Sequence, residues 1–493
     1  MAIQCSGAVG GCGGTGAPEA HAAALPSDAS PPARLMPLLA VACGSSVATV
    51  YFAQPLLVTL GERFALGAGL LGAIVTVTQL GYAVGLLTLV PLGDLLDTRR
   101  LVTGQLGLLA LALLAAGLAP GVAALLGALA VVGLLAVVAQ TMVAAAAALA
   151  PPARRGRAVG TVTGGIVTGI LLARAAAGVL ADLAGWRAVY LAAAGVIAIL
   201  VLLLHRVLPR VRRGLPPGAP SAGVREASYG RLVASHGRPV ASYGRLVTST
   251  VTLFARHPLL RIRGALALLV FAAFSTLWSG MAQPLSSPPW SLSHTAIGAF
   301  GLAGAAGAVA AGVAGRWNDR GFAQRTTGVG LAVLALSWLP IALTRQSLWA
   351  LAIGVVLLDF AVQAVHVTNQ TLIHAVRPDA GSRIIGGYMV FYSAGSSLGA
   401  LGSSLAYAAA GWPAVTALGA SFSLAALILW ATTRRTGMPG VVNLAGERPG
   451  PVGRVPSSRD SMPNGSMNKG SAPEDGPSGD GPSGDGTLPR GAA

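Results

Sequence analysis

Apolar residues run along most of this chain in long blocks, broken at regular distances by short clusters of charged, Gly or Pro residues. No Asp, Glu, Lys or Arg occurs from Leu101 to Ala153, from Gly264 to Gly315, or from Ile384 to Thr433. A hydrocarbon core of ~30 Å takes roughly 20 apolar residues of helix per crossing, so each of these blocks holds two crossings. Spans are predicted near residues 36–60, 66–92, 101–119, 123–149, 158–182, 188–206, 262–283, 295–315, 326–343, 348–374, 384–409 and 413–433. Turn signals fall between them: Gly61-Glu62-Arg63, Pro120-Gly121, Pro151-Pro152, Ser287-Pro288-Pro289 and Gly411-Trp412-Pro413. The expected class is an all-α polytopic membrane protein with twelve transmembrane helices.

Composition supports that class. Hydrophobic types make up 54% of the 493 residues and charged types only 10%, against about 25% charged in ordinary soluble domains. The +17 net charge invites a nucleic-acid reading, but the placement of the basic residues answers it. They gather at Arg34, Arg99 and Arg100, Arg154, Arg155 and Arg157, the middle of the chain, 316–325, Arg377 and Arg383, and the C-terminal tail. The alternate loops carry only Arg63, Arg187 and Arg345. Such asymmetry predicts a bacterial cytoplasmic membrane protein with both termini in the cytoplasm, and no nucleic-acid partner. The three cysteines, Cys5, Cys12 and Cys43, suggest neither a disulfide framework nor a zinc site. Residues 1–33 lack a basic n-region and an apolar h-region, and read as a low-complexity tail and not a signal peptide.

The spans divide six and six. The expected organisation is a disordered tail over 1–34, a six-helix half over 35–208, a basic linker over 209–261, a second half over 262–435 and a disordered tail over 436–493. The halves repeat each other in order. Gly93-Asp-Leu-Leu-Asp97 follows span two and Gly315-Arg-Trp-Asn-Asp319 follows span eight. Arg157-Ala-Val-Gly160 opens span five and Arg383-Ile-Ile-Gly386 opens span eleven. Gln140-Thr141 in span four is matched by Gln370-Thr371 in span ten, and Gly185-Trp186 by Gly411-Trp412. Parallel duplication of this kind places a substrate site near the midplane, between halves that rock about it. Within the linker, Arg231, Arg238 and Arg245 recur every seven residues and could meet anionic headgroups. Gly in every copy and Pro239 oppose a helix there, so duplication within a tolerant loop is the better reading.

These features resemble transporters of the major facilitator superfamily over about residues 35–435, most closely the bacterial twelve-span drug:proton antiporter type. The family's loop motif, Gly-x-x-x-Asp-Arg-x-Gly-Arg-Arg, is similar to Gly93, Asp97, Arg99 and Arg100, and again to Gly315, Asp319 and Arg320. Gly160 and Gly169 match the fifth-span antiporter motif, with Ala173-Arg174 where that motif has Gly-Gly. The resemblance implies two pseudo-symmetric six-helix bundles, a monomer, and the two loop motifs as cytoplasmic gates. It also implies export of small organic or amphipathic compounds in exchange for protons by alternating access. Import or facilitated passage of a sugar or organic acid is the alternative on the same fold, and a membrane receptor a remote one. No phosphate loop, Ser/His/Asp set or Cys cluster points to an enzyme or a cofactor, and uphill transport must draw on an ion gradient.

Span ten carries the densest polar stripe. Asp359, Gln363, His366 and Gln370 are spaced by four, three and four residues, within about 60° on one helix face and over about 16 Å of depth. Asn369 flanks them. Asp359 is the one acidic residue deep in a span, costly there and a candidate proton carrier or ligand contact. An interhelical packing contact is the structural alternative. His366 and His374 lie eight apart, too far for joint metal ligation from one helix. Arg174 sits at a depth similar to Asp359. It is expected to pair with it, or to tune its proton affinity in place of an Arg the family has early in span four; neutralising Asp182 or capping carbonyls are the structural options. His366 joins Asp359 and Arg174 as a proton-coupling candidate. The substrate-contact candidates are Tyr51, Gln54, Gln79, Tyr82, Gln140, Trp278, Gln363, Asn369, Gln370 and Tyr388, with Tyr392 one turn beyond. Pro55, within Tyr51-Phe52-Ala53-Gln54-Pro55, predicts a bend in span one.

Overall fold

The computed structural model describes residues 34–94, 96–151, 154–209, 252–376 and 381–434, all within one compact unit, Met1–Gly440. The linker repeats with Arg231, Arg238 and Arg245, and the two expected tails over 1–33 and 436–493, lie outside the described residues.

Helices account for the regular structure of the described residues. In the first half they are α1 (Leu35–Ala48), α2 (Leu57–Arg63), α3 (Leu71–Thr88), α4 (Thr98–Gly117), α5 (Val122–Ala136), α6 (Val138–Leu149), α7 (Arg155–Ala184) and α8 (Trp186–Val207). The second half contains α9 (Pro258–Gly280), α10 (Ala282–Ser286), α11 (His294–Ala299), α12 (Ala305–Asp319), α13 (Ala323–Leu336), α14 (Trp338–Ala342), α15 (Leu348–Val376) and α16 (Gly381–Thr433).

Ten helical segments among the described residues are long and apolar enough to cross a membrane. Two departures from a simple count of spans have local causes. The first predicted span is broken into α1 and α2 by a turn and a 3-10 segment, Gln54–Leu56. Pro55 sits at the centre of that break, where its ring removes a backbone donor and obstructs helical continuation. Predicted spans eleven and twelve form the single segment Ile384–Thr433, with non-helical backbone at Ala410 and Gly411. Gly411 there has φ +68°, and Gly185, between α7 and α8, has φ +80°. Each precedes a Trp, and a side chain with a Cβ would be strained at either corner. The repeated Gly-Trp pair is thus the same chain reversal used in both halves.

Close approach repeats as well. A Cβ at Gly169 would overlap the backbone of Gly44, bringing α7 against α1. A Cβ at Gly399 would overlap the Ala272 carbonyl, bringing α16 against α9. The surface is apolar, with Leu183, Leu339 and Trp349 largely exposed, as a lipid-facing surface requires.

Arg99 at the start of α4, Arg154 just before α7 and Arg320 just after α12 mark one end of the molecule, called here the arginine-rich end. Hydrogen bonds between the halves gather in the other direction. Thr76 Oγ1 donates to the Ser397 carbonyl at 3.0 Å, Gln283 Nε2 donates to the Ala68 carbonyl at 3.3 Å, and a Cβ at Gly72 would overlap the Ala400 carbonyl. Beside them α7 abuts α11, where a Cβ at Gly178 would overlap the His294 carbonyl. This state is closed at the arginine-poor end.

Helix α9 starts at Pro258, earlier than the expected 262, with Pro in the first helical turn where its missing donor costs nothing. Arg261, the last residue of the expected linker, therefore lies on the helix together with Arg263, which is buried.

Candidate functional site

A connected set of polar and aromatic side chains crosses between the halves. Arg174 on α7 is buried, and its Nε donates to Gln54 Oε1 at 2.6 Å. Its guanidinium carbon lies 3.8 Å from the ring centroid of Trp278 on α9, 5.0 Å from that of Tyr51 and 5.6 Å from that of Phe274. Arginine stacked on an indole face is held electrostatically as well as by contact. The same indole donates its Nε1–H to Asp359 Oδ1 on α15 at 3.2 Å. Trp278 is therefore the link between the buried cation and the buried acid.

This arrangement corrects the direct Arg174–Asp359 pair expected from their equal depth. Trp278 joins them, and the one ion pair among the described residues is His294–Asp182. The alternative in which Arg174 neutralises Asp182 is overturned too. Asp182 accepts the backbone N–H groups of His294 at 3.2 Å and Thr295 at 2.7 Å, and its Oδ1 is 2.6 Å from His294 Nδ1. His294 Nε2 in turn shares a 2.6 Å hydrogen bond with Thr59 on α2. Asp182 thus clasps the start of α11 at the arginine-poor end, across the boundary between the halves.

The network continues from Tyr51, whose hydroxyl shares a 2.5 Å hydrogen bond with that of Tyr392 on α16. The Tyr392 ring lies 4.1 Å from that of Phe271, centroid to centroid, and Phe271 lies 5.1 Å from His366. His366 Nδ1 shares a 3.0 Å hydrogen bond with the Tyr388 hydroxyl. Phe271 and Phe274 went unremarked in the sequence as apolar residues. Their spacing with Trp278, three and then four residues, is the signal that places all three on one face of α9.

Around Arg174 a small cleft is lined by Gln54, Pro55, Trp278, Met281 and Ile297. The Nη2 of Arg174 is buried there without a hydrogen-bond partner. Gly304 stands opposite Asp359, where a Cβ would come 3.3 Å from Oδ2.

Other candidates separate from this cluster. Gln140 Nε2 donates to the Tyr82 hydroxyl at 3.4 Å, and Gln79 is buried with its Oε1 unpartnered; this is a satellite within the first half. Gln363 packs against Gly307, and Gln370 is half-buried. Asn369 has a different partner: Arg263 Nη1 donates to its Oδ1 at 3.0 Å and to Thr327 Oγ1 at 3.2 Å. In the first loop motif Gly93 is buried, and Asp97 caps the helix that follows it, its Oδ1 accepting the Arg100 N–H at 3.0 Å. Arg99 Nε is buried without a partner. In the second motif Gly315 lies within α12, Asp319 ends that helix, and Asp319 and Arg320 are exposed. Asn318, just before Asp319, accepts from Thr368 Oγ1 at 3.2 Å, which ties the motif to α15.

The Major Facilitator Superfamily profile matches residues 39–287 and 264–462. The chain belongs to this superfamily. Over 396 residues it is 42% identical to the Escherichia coli O157:H7 protein named "Uncharacterized transporter YgaY", covering 80% of this chain and 94% of that one. The "Probable transporter SCO4007" of Streptomyces coelicolor is 33% identical over 390 residues, covering 78% and 84% of the two chains. Among solved structures, a bacterial homologue of the human lysosomal transporter Spinster, inward-facing and unoccupied, aligns with a TM-score of 0.63 at 14% identity, over 82% of this chain and 97% of that one. The human organic anion transporter MFSD10 aligns with a TM-score of 0.56 at 18% identity, over 81% and 100%. At such identities the structural matches establish the fold alone. This superfamily member is thus a polytopic membrane protein of secondary transport, and its family and structural relatives are transporters and not enzymes.

Proposed function

We propose that this chain carries a small organic anion through the membrane together with a proton, by alternating access, with Arg174 as the anion contact and Asp359 as the proton site. The observation behind this reading is the buried Arg174 guanidinium, with its Nε tied to Gln54 and its Nη2 unpartnered at a cleft. A guanidinium is a donor at every nitrogen, and a carboxylate or sulfonate is its natural complement. Charge balance then supplies the coupling. Empty, the centre holds one cation and one acid; an added anion leaves it net negative in a low-dielectric core. A proton on Asp359 restores neutrality for the crossing. That arithmetic favours symport, and so import or facilitated passage of an organic acid, over export.

Twelve crossings follow if α1 and α2 count as one and the kinked α16 as two. With the arginine-rich end in the cytoplasm, the present state faces inward, and the motifs around Asp97 and Asp319 form the cytoplasmic gate. Tyr51, Gln54 and Trp278 line the substrate path, with His366, Tyr388 and Tyr392 next to them. The protein acts as a monomer.

A second reading has its own support. The rings of Tyr51, Phe271, Phe274, Trp278 and Tyr392 suit an amphipathic cation that would displace a proton from Asp359, as in a drug:proton antiporter. Two permanently charged aromatic probes of opposite sign separate the readings in proteoliposomes with an internal pH dye. Inward benzenesulfonate should acidify the lumen, and the signal should vanish in Arg174→Gln and Asp359→Asn. Alkalinisation driven by benzyltrimethylammonium, with no response to benzenesulfonate, would replace symport with the antiport reading.

A further inference from the structure

Away from the central cluster, a second buried arginine lies among neutral partners. Arg263 keeps 2% of its surface exposed. Its Nη1 donates to Thr327 and Asn369, and its Nε is buried without a partner. A buried cation with no acid against it is costly, because hydrogen bonds to neutral groups return only part of its hydration. Arg263 also lines a small pocket with Leu259, Ile262, Leu266, Gln324, Trp430, Thr433 and Arg434. Two arginines and no carboxylate face this pocket. It lies where α9 begins and α16 ends, at the arginine-rich end of the second half, so its depth is that of the membrane–water boundary.

The pocket is built and held. Trp430 Nε1 donates to Gln324 Oε1 at 3.0 Å, and its ring lies on Gly328, where a Cβ would overlap it. The Arg434 guanidinium sits 5.7 Å from the Trp430 ring centroid, at the mouth. Leu259, Ile262 and Leu266, on one face of α9, give the pocket an apolar wall that continues towards the membrane interior.

We propose that this pocket binds the phosphate headgroup of an anionic phospholipid, with Arg263 at its base, Arg434 at its mouth and the α9 wall against the acyl chains. Phosphate supplies the missing counter-charge and acceptor atoms for the unpartnered Nε. The apolar wall selects a lipid over a soluble phosphate. Basic pockets between helices near the membrane surface are suited to such headgroups, and this one shares no lining residue with the cleft around Arg174.

The test is native mass spectrometry of the full-length protein released from nanodiscs of phosphatidylcholine mixed with phosphatidylglycerol. The protein should retain phosphatidylglycerol in preference to phosphatidylcholine. Arg434→Gln should lower that retention about fivefold, the factor equivalent to ~1 kcal/mol per basic residue at an anionic surface. Arg434→Lys should restore most of it. Arg325→Gln, an exposed arginine at the same end that stacks on Phe322, should leave it unchanged. Equal loss in Arg325→Gln and Arg434→Gln would reduce the effect to general surface attraction and overturn the site, as would no loss in either. Displacement of the lipid by inorganic phosphate would make a soluble anion the occupant and overturn the lipid assignment. Arg434 lies beyond the packed helices, so its variants keep the test clear of misfolding.

Discussion

Asp182 is the place to test whether closure of the arginine-poor end is stored in a few polar contacts. Its carboxylate accepts two backbone N–H groups at the start of α11 and pairs with His294, whose other ring nitrogen is bonded to Thr59. Asp182→Ala removes all three Asp182 contacts while leaving the helices intact. A carboxylate at a helix N-terminus is worth ~0.3–1 kcal/mol. The Asp182 and His294 side chains keep 28% and 29% exposure, so their pairing is screened and adds only ~0.2–1 kcal/mol. Together these amount to ~0.5–2 kcal/mol favouring closure, a factor of about 2–30 in population. Spin labels at Glu62 and Gln346, exposed on the two halves at that end, report the opening by double electron–electron resonance in a protein with Cys5 and Cys12 replaced. The long-distance population should rise by that factor in Asp182→Ala, and Asp182→Asn should fall between the two. Identical distance distributions in wild type and Asp182→Ala would refute the clasp and leave closure to backbone packing alone.

Three further outcomes are expected. Trp278→Phe keeps a ring under Arg174 but loses the donor to Asp359, so substrate-dependent proton flux in liposomes should fall at least about tenfold while the protein still folds, a hydrogen bond to a charged group being worth ~1.5–3 kcal/mol. Gly72→Val drives a side chain into the Ala400 carbonyl; the halves should separate at the arginine-poor end, at a cost of ~1–3 kcal/mol, seen as increased reactivity of a cysteine placed at Ser404. Asn369→Leu leaves Arg263 with Thr327 as its sole acceptor, and the melting temperature should drop by an amount equivalent to ~2–3 kcal/mol. Asn369→Asp should restore it, whereas a substrate-contact role for Asn369 would show instead as altered transport at unchanged stability.

Periodicity and charge placement made the class of this protein legible, because lipid forces every crossing to be apolar and internally hydrogen-bonded. Pro55 announced the break in the first span, and the two Gly-Trp pairs announced the corners at Gly185 and Gly411. Both effects are local, a matter of one residue's own backbone. The duplicated order of motifs identified the halves, and Asp359 and Arg174 stood out because ionisable groups are rare at depth.

What joined those two residues was not legible. Their separation along the chain says nothing of Trp278, which reaches both only after α7, α9 and α15 have packed. Asn369 looked like part of the Asp359 stripe, since steps of three and four residues define a face of one helix and not the neighbour it meets. Packing turned it towards Arg263, an arginine at the start of the expected seventh span that the sequence did not single out. Asp182, similarly, was weighed only against Arg174, the charge on its own helix. Its partners His294 and Thr295 lie 112 and 113 positions away, on a segment brought to it by the meeting of the two halves. Composition and spacing decided that this chain crosses a membrane and where it turns, because solvation and backbone geometry act residue by residue. Which polar groups face one another was decided by the tertiary structure, because that depends on helix rotation and register, which arise only when the apolar faces pack.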